Sequence, residues 1–169
     1  MIVARDLRGE RLQLEPLRPE HADEMAPLLD DVELHAFIGG EPATPEELRT
    51  RYRRQSVGRS PDGSQVWLNW VVRLVADGAA VGTTQATVTE ESGTLAAEVA
   101  WVVARPHQGN GYAVEAARVM VQWLRDQGVR TVIAHVHPDH HASMAVARAA
   151  GLAATAIRVA GEVRWESRS

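Results

Sequence analysis

Gln108-Gly109-Asn110-Gly111-Tyr112-Ala113 stands between an apolar run and a helical repeat. Ahead of it, Glu98-Val99-Ala100-Trp101-Val102-Val103 is rich in valine and carries one aromatic residue, the composition of a strand. Behind it, Val114, Ala117, Val121 and Leu124 recur at helical spacing, with Met120 and Trp123 on the same side. A strand, a glycine-rich turn and a helix in this order bring backbone amides close to a phosphate. Glycine removes the Cβ atom that would keep a ligand away, and the helix start offers unpaired N–H groups and the positive end of its dipole. The plainer reading of a bare Gly-x-Gly is a strand-to-helix turn that uses glycine for its own geometry.

The full spacing goes beyond that plainer reading. Gln108, Gly111 and Ala113 match Gln/Arg-x-x-Gly-x-Gly/Ala, and here the chain resembles the GNAT superfamily of N-acetyltransferases, whose acetyl-CoA pyrophosphate loop has this form. The segment 97–103 is similar to that family's fourth strand. Gly111-Tyr112-Ala113-Val114-Glu115-Ala116 is similar to the start of its third helix. His140-His141-Ala142-Ser143 leads to Gly151-Leu152, in the manner of the stretch after its fifth strand. The resemblance runs from about Glu10 to the C-terminus and points to the RimJ/RimL-like branch.

Other phosphate loops fit worse. A Walker loop needs Gly-Lys-Ser/Thr, whereas Gly111 is followed by Tyr112-Ala113. A Rossmann loop starting at Gly109 and Gly111 meets Val114 where its third glycine belongs, and it normally lies near the start of a βαβ unit.

The chain has 169 residues, enough for one domain with a full core. A net charge of −4 gives no reason to expect nucleic acid as a partner. With no cysteine, disulfides, thiolate metal sites and thiol catalysis are excluded. The start, Met1-Ile2-Val3-Ala4-Arg5-Asp6, has no long apolar core, and no apolar run reaches membrane-spanning length. A cytoplasmic protein without a membrane partner, monomeric or homodimeric, is expected.

Leu12 and Leu14 suggest a first strand, and Ala22, Met25, Leu28 and Leu29 one face of a helix over about 20–29. Thr44-Pro45-Glu46-Glu47 reads as a capped helix start, with the helix running to about Gln55. Two strands, about 66–75 and 81–89, meet at the Asp77-Gly78 turn. The strand and helix flanking the glycine loop follow, then a strand over 131–136, a helix over about 142–150, and a closing hairpin over 155–159 and 162–165. The order βαα-βββ-α-β-α-ββ predicts one mixed sheet with helices on both faces; the resemblance implies the same order, an α/β (α+β) GNAT fold with a single mostly antiparallel, twisted sheet in a single domain.

The resemblance implies an acetyl-CoA-dependent N-acetyltransferase whose cofactor lies along Val102, Val103 and Ala104, with a backbone N–H there polarising the thioester carbonyl. It places the pyrophosphate on amides of Gly109, Asn110, Gly111, Tyr112 and Ala113, with Gln108 orienting the loop. His140 stands where the family usually has an asparagine that bonds the pantetheine. Ser143 fits the family's serine, and it either caps the last helix or touches cofactor. Where many members have a tyrosine as acid for the leaving thiolate, this chain has Ala147.

Glu98 is the candidate general base: a carboxylate within an apolar strand, where partial burial would raise its pKa. Glu115 is the rival, but its place in the first helical turn is explained by the helix dipole. His135, His137, Asp139, His140 and His141 look like metal ligands, yet no spaced set completes a site, and no metal is expected. Phe37, Ile38 and Gly39, in the loop between the first helices, and Trp70 are candidates for lining the acceptor pocket. Trp67 and Trp70 fall on opposite faces of their strand. The acceptor is a small amine or a protein N-terminus. A non-catalytic acyl-CoA-binding sensor is the competing reading.

Overall fold

The computed structural model describes residues 2–168. Its strands are β1 (Leu7–Arg8), β2 (Leu12–Pro16), β3 (Gln65–Leu74), β4 (Ala80–Glu91), β5 (Thr94–Val103), β6 (Val129–Val136), β7 (Ala153–Val159) and β8 (Glu162–Arg168). They form one sheet in the order β1-β2-β3-β4-β5-β6-β8-β7. Only β5 and β6 run parallel, joined by the right length of chain for a helical crossover. The helices are α1 (Ala22–Leu28), α2 (Val32–Ile38), α3 (Pro45–Gln55), α4 (Tyr112–Asp126) and α5 (His141–Ala149).

Period-two alternation divides the sheet's side chains between two layers. Leu12, Leu14, Trp70, Val72, Ala86, Val88, Ala97 and Val99 pack against Met120, Val121 and Leu124 of α4. Met120 and Leu124 are fully buried, each contributing about 1.5–3 kcal/mol relative to exposure. On the opposite face Val71 and Ala80 meet Ala22, Met25, Leu48 and Tyr52 from α1 and α3. That second layer covers β2, β3 and the start of β4. The far parts of β4, β5 and β6 lie outside that second layer.

The α3 start forms as its sequence predicts. The Glu47 amide donates to Thr44 Oγ1 at 3.2 Å, and the Thr44 amide to Glu47 Oε1 at 3.1 Å. The segment expected as a loop around Phe37 is instead α2. Asp31 caps it by accepting from the Glu33 and Leu34 amides. Only Leu34 of its seven residues is buried, so it presents no apolar stripe for periodicity to detect.

β5 and β6 stay paired from Leu95↔Val129 to Glu98↔Ile133 and then part. β5 continues against β4 alone, to Gly82↔Val103, while β6 continues against β8, to Val136↔Val163. A wedge-shaped opening results, with one strand's backbone edge exposed along it.

Candidate active site where two strands part

The edge of β5 decides what the opening can bind. The Ala104 N–H donates to the Val81 carbonyl at 2.9 Å, so residues 102 and 104 turn their backbone groups toward β4. Alternation then turns those of Trp101 and Val103 toward the opening. The Val103 carbonyl accepts from Gln108 Nε2 at 2.8 Å. Of the expected trio, Val102 and Val103 border the adjoining cleft and Ala104 is not in its lining. Val103 keeps a backbone N–H facing the opening, Trp101 joins it, and fully buried Ala104 spends its own on β4.

A cleft of about 600 Å³ begins at this edge, bordered by Trp101, Val103, Gln108, Tyr112, Ala113 and Ser143 among others. Gly109 and Gly111 also border it, both in the left-handed region at φ 82° and 79°, conformations that glycine adopts without the strain of a Cβ. A Cβ on Gly109 would meet nothing within 4 Å, so this backbone lies open to a ligand. The start of α4, fifteen residues long, has no side-chain cap at Gly111. Its first N–H groups are therefore available to an anion. These features fit a pyrophosphate. The Asn110 side chain braces the loop, its Nδ2 donating to the His107 carbonyl at 3.0 Å.

The loop is strapped to β2 by Arg11, which sequence reasoning missed. Arg11 Nη1 donates to the Asn110 carbonyl at 2.7 Å and Nε to Glu115 Oε1 at 2.8 Å, while the guanidinium lies 4.9 Å from the centre of the Tyr112 ring. Glu115 Oε2 also accepts from the amides of Arg11 and Leu12. Partial burial pushes the Glu115 carboxyl up, but the Arg11 guanidinium and those amides outweigh it and hold it below the ordinary carboxylate range. Glu115 is thus a structural tie.

A second groove, of about 410 Å³, runs over the sheet face opposite α4. Thr83, Gln85 and Thr87 of β4 and Glu98 of β5 are in its lining, with His135 of β6 and His137 just after it. The expected burial of Glu98 does not occur. Its side chain is 58% exposed, because β6 turns away just beyond it. Its carboxylate Oε1 lies 2.8 Å from His135 Nδ1. Phe37 and Ile38 at the end of α2 border both clefts; Gly39 ends that helix at φ 83° and borders neither. His140 stacks on Phe37 at 4.3 Å between ring centroids. Burial, helped by the nearby His137, lowers the His140 pKa below the usual imidazole range.

Trp70 does not join this groove. Its side chain is fully buried on the α4 face, edge-on to Trp123 at 5.6 Å, with its indole N–H donated to the Arg5 carbonyl at 2.8 Å. It serves the core. Ser143 is not a helix cap: its Oγ accepts from Trp101 Nε1 at 3.1 Å, and it borders both clefts. Ala147 is fully buried, so a methyl group fills the place of the family's tyrosine. Among the described residues no group of three His, Asp or Glu side chains is arranged to hold a metal ion.

No curated protein matches the sequence. Solved structures match along nearly the whole chain. A GNAT-family acetyltransferase from Bacillus anthracis is 18% identical with a TM-score of 0.76, covering 97% of this chain and 98% of that one. RimL, a ribosomal L7/L12 alpha-N-protein acetyltransferase in complex with coenzyme A, is 16% identical with a TM-score of 0.78 over 97% and 98%. The aminoglycoside acetyltransferase AAC(6')-Ib, also in complex with coenzyme A, is 13% identical with a TM-score of 0.76 over 93% and 94%. At these identities the likeness establishes the fold. A family model described as an acetyltransferase (GNAT) domain matches residues 11–153. With that match over most of its length, and the strand opening and glycine loop in place, the chain belongs to the GNAT acetyltransferase family.

Proposed function

We propose that the whole chain forms one cytoplasmic N-acetyltransferase domain that uses acetyl-CoA to acetylate a primary amine by direct attack in a ternary complex. The observation that carries this reading is that the two clefts adjoin. They share Phe37, Ile38, Trp101, Val102, His140 and Ser143 at the point where β5 leaves β6. A donor in one cleft and an amine in the other meet there without a covalent enzyme intermediate, and the chain has no cysteine to form a thioester.

Bound acetyl-CoA supplies an acetyl group activated as a thioester. The amides of Gly109, Gly111 and Ala113, with the α4 dipole, hold the pyrophosphate. The Trp101 and Val103 N–H groups pair with the pantetheine arm and polarise the acetyl carbonyl. Gln108 keeps the loop and the strand edge in register through its bond to the Val103 carbonyl. Glu98, exposed in the groove, takes the proton from the ammonium so that a neutral amine attacks.

The acceptor groove has exposed Gln85 and Glu98 in its lining, with Phe37 and Ile38 at the end of α2 also bordering it. An open floor suits an extended chain better than an enclosed small molecule, so we assign a peptide N-terminus as acceptor. The likeness to RimL supports this placement in the RimJ/RimL-like branch. The buried Ala147 favours a second reading, a non-catalytic acyl-CoA sensor, because no side-chain acid stands at the tyrosine position.

A thiol-release assay with acetyl-CoA against Ala- or Ser-starting peptides, amino acids, polyamines and aminoglycosides tests both readings. Turnover with peptides is expected; turnover with small amines alone would overturn the acceptor assignment. Cofactor binding without any turnover would favour the sensor. Glu98→Gln should lower kcat at least about tenfold while calorimetric affinity for coenzyme A stays the same.

A further inference from the structure

Glu98 and His135 face each other just where β5 and β6 part, with Nδ1 and Oε1 at 2.8 Å. An ionised carboxylate only accepts hydrogen bonds, so the hydrogen of this contact sits on Nδ1. The lone pair of the neutral ring is then on Nε2. That atom is enclosed and has no hydrogen-bond partner among the described residues. Buried polar atoms without partners are uncommon in folded proteins, and each asks for a purpose. The two members also differ in access: the His135 side chain is 18% exposed and that of Glu98 58%.

Resting on the acetyl-transfer reading above, we propose that His135 is the positioning residue of the general base. Through Nδ1–H it holds the Glu98 carboxylate toward the groove, and its enclosed Nε2 meets no partner among the described residues that would turn the ring away. The ammonium N–H breaks and a Glu98 O–H forms, leaving the free amine to attack. The second proton lost by the nitrogen follows to the departing thiolate, and Glu98 returns its own to solvent. The other charged or titratable groups near the pair are His137 just after β6, His140 before α5, and Glu162, Arg164 and Glu166 of β8. Arg164 is directly opposite His135 in register and gives its Nε to Glu166 Oε2 at 3.2 Å.

Two variants test the positioning. Asparagine at 135 can still present an N–H near the Nδ1 position; leucine cannot. With the best amine and saturating acetyl-CoA, His135→Leu should lose about tenfold in plateau kcat, and His135→Asn should retain more of it. A plateau in His135→Leu equal to wild type, or one in His135→Asn no higher than in His135→Leu, would overturn the proposal. Imidazole ¹⁵N shifts of the free protein provide a readout independent of turnover. The Nδ1–H tautomer of His135 is expected in wild type and the Nε2–H tautomer after Glu98→Ala. An Nε2–H tautomer in wild type would refute the pair even if acetyl transfer is confirmed. An intact pair with no amine acetylated would instead sink the acetyl-transfer reading.

Discussion

Replacing Glu115 with glutamine probes the tie that holds the glycine loop to the sheet. The carboxylate accepts from Arg11 Nε at 2.8 Å, the Arg11 amide at 2.8 Å and the Leu12 amide at 3.1 Å. Its side chain is 16% exposed. Glutamine keeps the shape and one acceptor oxygen, but turns an NH₂ group toward at least one of these donors. Leaving a partly buried donor unpaired, discounted for the solvent-exposed side of Arg11, costs about 1–2 kcal/mol. For a chain of this size that is a fall in Tm of about 2–8 °C. The effect carries its own pH signature. The folded-state pKa of Glu115 is lowered, so the unfolded chain binds the proton first as pH falls. The stabilisation is therefore full above the ordinary carboxylate range and is lost as pH falls through the folded value. Thermal unfolding of wild type and Glu115→Gln should differ at neutral pH and converge as pH falls below the ordinary carboxylate range. Gly9→Ala should act in the same direction, because its Cβ would lie 2.6 Å from Glu115 Oε2. Equal Tm values at neutral pH, or a gap that persists unchanged into acid, would refute the assignment of Glu115 as a charged tie.

Gln108→Leu removes the donor to the Val103 carbonyl; a loss of about 1 kcal/mol should raise the KM for acetyl-CoA roughly fivefold, measured by steady-state kinetics. Gly111→Ala forces a Cβ onto a residue at φ 79° and within 3.3 Å of Arg11 Nη2. The left-handed conformation alone should lower stability by about 1–2 kcal/mol in denaturant unfolding, and calorimetry should show weaker coenzyme A binding.

Local signals carried most of the fold. The Thr44–Glu47 capping box, the Asp77-Gly78 turn and the valine-rich run before Gln108 each act within a few residues, and each formed as expected. α2 escaped because a short helix that buries only Leu34 leaves no stripe. Alternation correctly separated Trp67 from Trp70, but it could not say which face α4 would cover, and that choice sent Trp70 into the core. At the site, the glycine loop was legible because its chemistry lies in the backbone. The Arg11–Glu115 tie joins residues 104 apart in sequence, and no local pattern announces such a pair. His135 drew attention as one of a histidine cluster, but its partner lies on the neighbouring strand. Glu98 read as buried because its own strand is apolar; its exposure comes from β6 turning away, which depends on the pairing of β6 with β8.

The central claim is that acetyl passes directly from donor to amine across the opening between β5 and β6. Initial velocities measured over a grid of acetyl-CoA and acceptor concentrations test it most directly. Double-reciprocal lines that intersect are predicted, the mark of a ternary complex. Parallel lines, accompanied by an acetylated enzyme seen in the intact mass, would contradict the account.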